Sequence, residues 1–158
     1  MDRQIINDAF ILQLPDSFEV LTEKELRGMY LNAGDPFRWG ARDTENHVVF
    51  LVLWKQYPGI VSRMLDLKAM VKRNEQLTRK AHDGHDYQLL VFFSQQAGEN
   101  KAEGYCFSYD RQGVAQVCHN FLVRDGRTIY TFMCVGRKEN MERHREMINQ
   151  VMKTLEHA

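Results

Sequence analysis

The chain has 158 residues, 44% of them apolar and 27% charged, which is enough to bury a core without disulfide or metal staples. Lysine plus arginine and aspartate plus glutamate both number 21, so the net charge is zero. That balance excludes the broad basic field of a non-specific nucleic-acid binder and the acidic tail of a disordered chain. It also leaves little charge to hold copies apart, so a homodimer is an expectation.

The opening Met1 to Asp8 has no basic stretch followed by a clean apolar one, because Asn7 and Asp8 interrupt it; no signal peptide is expected. The longest apolar run, Val48 to Trp54, is far short of the ~20 residues a membrane helix needs, so no membrane span is expected. Cys106, Cys118 and Cys134 are odd in number and contain no C-x-x-C pair, which points to reduced thiols and a cytoplasmic setting.

Ile5 to Leu14 reads as one apolar segment that stops at Pro15-Asp16-Ser17, followed by a short extended Phe18 to Leu21. Thr22-Glu23-Lys24-Glu25 has capping-box spacing and predicts a helix that runs to Asn32-Ala33-Gly34, with the glycine as its left-handed stop. Phe37 to Arg42 predicts a strand with Phe37 and Trp39 on one face. His47 to Lys55, unbroken in its apolar character, predicts a central strand covered on both faces. Tyr57-Pro58-Gly59 then turns the chain into a long helix from Ile60 to Lys80, whose stripe is Ile60, Met64, Leu67 and Val71.

Strands follow at Tyr87 to Gln96, Glu103 to Asp110, Val114 to Arg124 and Arg127 to Val135. Asp125-Gly126 is the pair favoured in a two-residue type I′ hairpin, and the Asp110 to Gly113 link is nearly as short, so these strands form an antiparallel meander. A last helix, Glu139 to Glu156, buries Met141, Ile148, Val151, Met152 and Leu155. The fold class is α+β across residues 1–158 as a single domain: an antiparallel sheet with helices packed on its faces and a helix at the C-terminus.

The stretch most suggestive of chemistry is His82-Asp83-Gly84-His85-Asp86, two imidazoles and two carboxylates that suit a divalent ion; as a helix-to-strand turn it would instead face water around Gly84. Cys118-His119 has the composition of a nucleophile beside its base, but strand alternation sends the two to opposite faces and makes His119 a core residue satisfied by one hydrogen bond. His144 falls on the apolar stripe of the last helix. No G-x-S-x-G, H-E-x-x-H, G-x-G-x-x-G or P-loop pattern is present, so no catalytic residue, metal or cofactor is assigned and the expectation is a non-enzyme. Partner-binding candidates are the basic stripe Lys68, Lys72 and Arg79 and the aromatic residues Trp39, Trp54 and Tyr57.

The segment Phe10-Ile11-Leu12-Gln13-Leu14-Pro15-Asp16-Ser17-Phe18, with the order of elements that follows it, resembles the PsbP-like family. That fold is shared by a photosystem II extrinsic subunit, a Ran-binding nuclear import factor and small bacterial proteins, among them cytoplasmic chaperones for type VI secretion effectors. The resemblance implies an antiparallel sheet with helices on its faces and a role as an assembly or adaptor module. The expectation is therefore a cytoplasmic protein-binding module with a protein partner and no nucleic acid; the alternative is a small-molecule or metal-binding enzyme using the His82 to Asp86 loop.

Overall fold

The structure, a computed structural model, describes residues 2–31 and 34–158. Its larger sheet is antiparallel and has the strand order β3-β4-β5-β9-β8-β7-β6, where β3 is Glu19–Val20, β4 Trp39–Asp43, β5 Val48–Gln56, β6 Gln88–Ala97, β7 Asn100–Arg111, β8 Val114–Asp125 and β9 Thr128–Arg137. A smaller sheet joins β1 (Asp2–Ile6), β2 (Phe10–Leu14) and β10 (Glu156–His157). The fold is α+β, as the element pattern predicts.

The main core lies between the large sheet on one side and β1, β2 and the C-terminal helix α4 (Met141–Lys153) on the other. Phe10, Leu12 and Leu14 meet Phe50, Phe121 and Phe132 there, together with Ile148, Val151 and Met152 of α4. On the opposite face, helix α3 (Leu67–Ala81) covers Tyr105, Phe107, Cys118 and Leu122 through Val71, while the segment around α1 (Glu23–Leu26) covers Leu51 and Leu53. The apolar run of β5 is covered on both faces for this reason.

Several elements differ from the sequence expectation. Ile5 to Leu14 is not one segment: Asn7 and Asp8 both take positive φ, 53° and 52°, and turn β1 back onto β2. The capping box forms as expected, with Thr22 Oγ1 accepting from the Glu25 amide at 3.2 Å and Glu25 Oε1 accepting from the Thr22 amide at 3.1 Å. The helix nevertheless ends at Leu26, and Gly28 rather than Gly34 takes the left-handed conformation. Asn32 and Ala33, part of the expected helix end, lie outside the described residues. Phe37 precedes its strand and packs with Leu21, Leu51 and Leu53, whereas Trp39 packs on Phe50 in the main core, so the two rings do not share a face.

The long helix is two helices, α2 (Gly59–Met64) and α3. The break is chemical. The Arg124 guanidinium donates to the carbonyls of Ser62, at 2.7 Å, and of Leu65, both of which a continuous helix would use for its own next turn. The Asp66 carboxylate then caps the Lys68 amide at 3.0 Å and starts α3. The expected stripe breaks with it: Val71 is buried, but Ile60 and Met64 stand 77% and 80% exposed.

The type I′ turn expected at Asp125-Gly126 is found at the earlier hairpin instead. Gln112 and Gly113 both take positive φ, the type I′ signature, while the later loop is Gly126-Arg127 with positive φ at Gly126 and not at Asp125, as in a type II′ turn. The last helix ends at Lys153, so Glu156 is in β10, paired with Ile11 of β2; Met141 is only half-buried.

Candidate functional site

Strand β6 is the outermost strand of the large sheet, paired with β7 along one side and with no described strand on the other. Over ten residues, Gln-Leu-Leu-Val-Phe-Phe-Ser-Gln-Gln-Ala, it carries no charge and no proline. Exposed sheet edges in soluble proteins are ordinarily protected by both, because the free N–H and C=O row templates pairing with another chain. A register shift between Leu89 and Val91 is the only irregularity in its pairing with β7 among the described residues. The side chains add to the exposure: Leu90, Val91 and Phe92 remain 40%, 52% and 43% accessible. Helix α3 packs mainly over β7 and β8. Phe92, its ring 6.4 Å from that of Tyr105, lies on that face of the sheet, whereas Val91, opposite Cys106, lies on the face of α4.

A groove of about 250 Å³ runs between α3 and this edge, lined by Lys68, Val71, Lys72, Phe92, Phe93 and Ser94, with Glu103 and Gly104 at its floor. Glu103 is engaged there, accepting from Ser94 Oγ and lying 3.7 Å from Lys101 Nζ. Lys68 and Lys72 are exposed and make no ion pair among the described residues. The rim is thus cationic and the strand beside it apolar.

The basic stripe read from the sequence divides at this point. Arg79 pairs with the buried Glu75 carboxylate four residues earlier and lies 5.6 Å over the Tyr87 ring, so only Lys68 and Lys72 stay with the groove. The aromatic candidates lie elsewhere. Trp39 packs edge-on to Phe50, Trp54 takes the Arg38 guanidinium over its ring at 4.5 Å, and Tyr57 lies under Lys55 at 5.5 Å. Trp54 is on β5, four strand spacings from β6, a separation of at least ~19 Å. These residues do not form one site with Lys68 and Lys72.

The His82 to Asp86 loop is a turn. His82 closes α3, with its Nδ1 2.9 Å from the Thr78 carbonyl oxygen, and its ring packs 4.4 Å from that of Tyr109 and 5.5 Å from that of Phe107. Gly84 and Asp86 take positive φ, and among the described residues no three histidine, cysteine or acidic side chains converge as a metal site would require.

Cys118 and His119 point to opposite faces, as alternation predicts. Cys118 faces α3, and His119 faces α4, where its ring packs tilted against that of His144, 5.1 Å between centroids. Burial, reinforced by His144 and Arg145, lowers the pKa of His119 to about 3, and burial lowers that of His144 to about 4. The one hydrogen bond expected of His119 is not made at Nδ1, which has no partner among the described residues. All three thiols are free and buried, and burial pushes Cys106 up to about 11, so none is a ready nucleophile at neutral pH.

Neither a family model nor the sequence of a curated protein matches this chain. Solved structures do. Cyanobacterial PsbP (CyanoP) from Synechocystis superposes with a TM-score of 0.71 at 10% identity, over 99% of this chain and 92% of its own. LpqN, involved in cell envelope biogenesis of Mycobacterium tuberculosis, gives 0.63 at 13% identity, over 94% and 83%. A Bacteroides thetaiotaomicron protein gives 0.59 at 11% identity, over 99% of this chain but 48% of that one. The chain has the PsbP-like fold. No described helix is long and apolar enough to cross a membrane.

Proposed function

We propose that this chain is a non-enzymatic protein-binding module, an adaptor or chaperone-like protein of the reducing cytoplasm, and that it holds its partner at the β6 edge. The observation that carries this reading is the ten-residue strand edge with neither charge nor proline and with Leu90, Val91 and Phe92 exposed. Three unbridged thiols are in keeping with a reducing compartment. The occupant is an extended segment of another protein. Its backbone adds as an eighth strand beside β6, its apolar side chains cover Val91 on the face of α4, and the alternate, acidic side chains meet Lys68 and Lys72 beside Phe92 on the face of α3.

Selection from a displayed library of random twelve-residue peptides tests this. The enriched sequences should alternate apolar and acidic residues. Their affinity should fall at least about tenfold for Val91→Lys, and for Lys68→Glu with Lys72→Glu. Enriched peptides indifferent to all of these substitutions would overturn the reading. Self-pairing through β6, seen as a dimer in sedimentation that Val91→Lys dissolves, would replace the foreign partner with a second copy.

A further inference from the structure

A second cavity lies apart from the sheet edge, where the β2–β3 connection, the β4–β5 turn, the end of β9 and the first turns of α4 meet. It measures about 130 Å³. An enclosed apolar cavity of roughly 150 Å³ admits benzene; this one is slightly smaller but open on one side, so a ligand of that size can extend beyond it. Phe18, Val48 and Met147 supply apolar walls.

Apart from Arg137, which also lines it and pairs with Glu139 at 3.7 Å, the polar groups around it fall into two sets. On one side the Asp43 carboxylate is fully engaged, accepting from Ser17 Oγ at 2.8 Å, Asn46 Nδ2 at 2.7 Å and the Asn46 amide at 3.1 Å. Burial raises its pKa, but these bonds from Asn46 and Ser17 outweigh that and hold it low, so it keeps its charge.

The other side carries groups that are not fully partnered among the described residues. His144 is 3% exposed and lines the cavity; the backbone of Cys134 interacts with its ring and favours the protonated form, but neither ring nitrogen makes a hydrogen bond of ordinary geometry among the described residues. The ring has room only because residue 136 is glycine; a Cβ there would stand 2.6 Å from His144 Nδ1. Arg143, at the same wall, makes no ion pair among the described residues, and the Asn140 side chain caps nothing at the start of α4. Buried polar groups are ordinarily satisfied, and an orphan beside a cavity marks what the cavity lacks.

We propose that this cavity binds a small monocarboxylic acid with an apolar body about the size of a benzene ring. The body lies between Phe18, Val48 and Met147, and the carboxylate accepts from Arg143 and from the neutral His144 ring. A phosphate is disfavoured on two grounds: the walls are mostly apolar, and the charged Asp43 opposes a dianion.

The probe is benzoate, titrated into the full ¹⁵N-labelled chain and followed by amide chemical shifts, with benzyl alcohol and inorganic phosphate as comparisons. The expected result is saturable one-to-one binding that moves the amides of Gly136, His144 and Met147. Arg143→Ala, an exposed position that leaves the core intact, should weaken benzoate about tenfold and leave benzyl alcohol unchanged. Met147→Trp, which fills the cavity, should abolish both. No saturation below about 50 mM would overturn the proposal, as would equal affinity for benzoate and benzyl alcohol, or phosphate binding more tightly than benzoate.

Discussion

His119 and His144 are neutral in the folded protein because burial withholds the solvation their charged forms need. The unfolded chain titrates them near pH 6.5, so between that pH and about 4 it binds more protons than the native state. The sign follows: both rings destabilise the fold as pH falls through this window, each by roughly 3 kcal/mol at pH 4. Urea melts at a series of pH values should show stability dropping below pH 6.5, and His119→Leu should flatten that decline by about half. An unchanged slope would mean that the rings are solvated. The sequence placed both histidines on apolar faces through strand and helix periodicity. It did not report their packing on each other, which depends on how α4 crosses the sheet, and the hydrogen bond it led one to expect at His119 is not made at Nδ1.

Arg124 shows how an element is set by a residue far from it in sequence. It takes the Ser62 and Leu65 carbonyls and so ends α2 where periodicity alone runs on. Arg124→Ala should cost about 1.5–3 kcal/mol, the range for hydrogen bonds to a charged group, and raise amide exchange in Gly59–Met64 first. Gly98 fixes a second junction. At φ +59°, it donates its amide to the Met152 carbonyl at 3.1 Å, and a Cβ there would sit 1.7 Å from the Leu155 oxygen. Gly98→Ala should lower stability by at least ~3 kcal/mol in thermal unfolding, since the clash is with backbone and not with a movable side chain. Strands β5 to β9 were legible because an unbroken apolar run, alternation and short turns are local signals. The α2–α3 break and the β10 pairing were not, because Arg124 and Ile11 act across the chain. Asp66 was the one local cue to the break, a cap residue inside a helical stripe.

At the scale of the whole molecule, strand order decides which strand is left without a neighbour, and no local pattern reports that. Tyr87 to Gln96 could be read as a strand and as free of charge, but not as an edge. The aromatic candidates Trp39, Trp54 and Tyr57 and the cationic ones, Lys68 and Lys72, each looked like binding residues, and topology holds Trp54 and β6 four strand spacings apart. Partner binding at the β6 edge is tested most directly by amide hydrogen exchange. With a selected peptide at saturation, exchange should slow across Gln88–Ala97 as the free edge gains partners, and the Val91→Lys protein should show no such change. Protection confined to Trp39, Trp54 and Tyr57, with β6 exchanging as in the free chain, would contradict it.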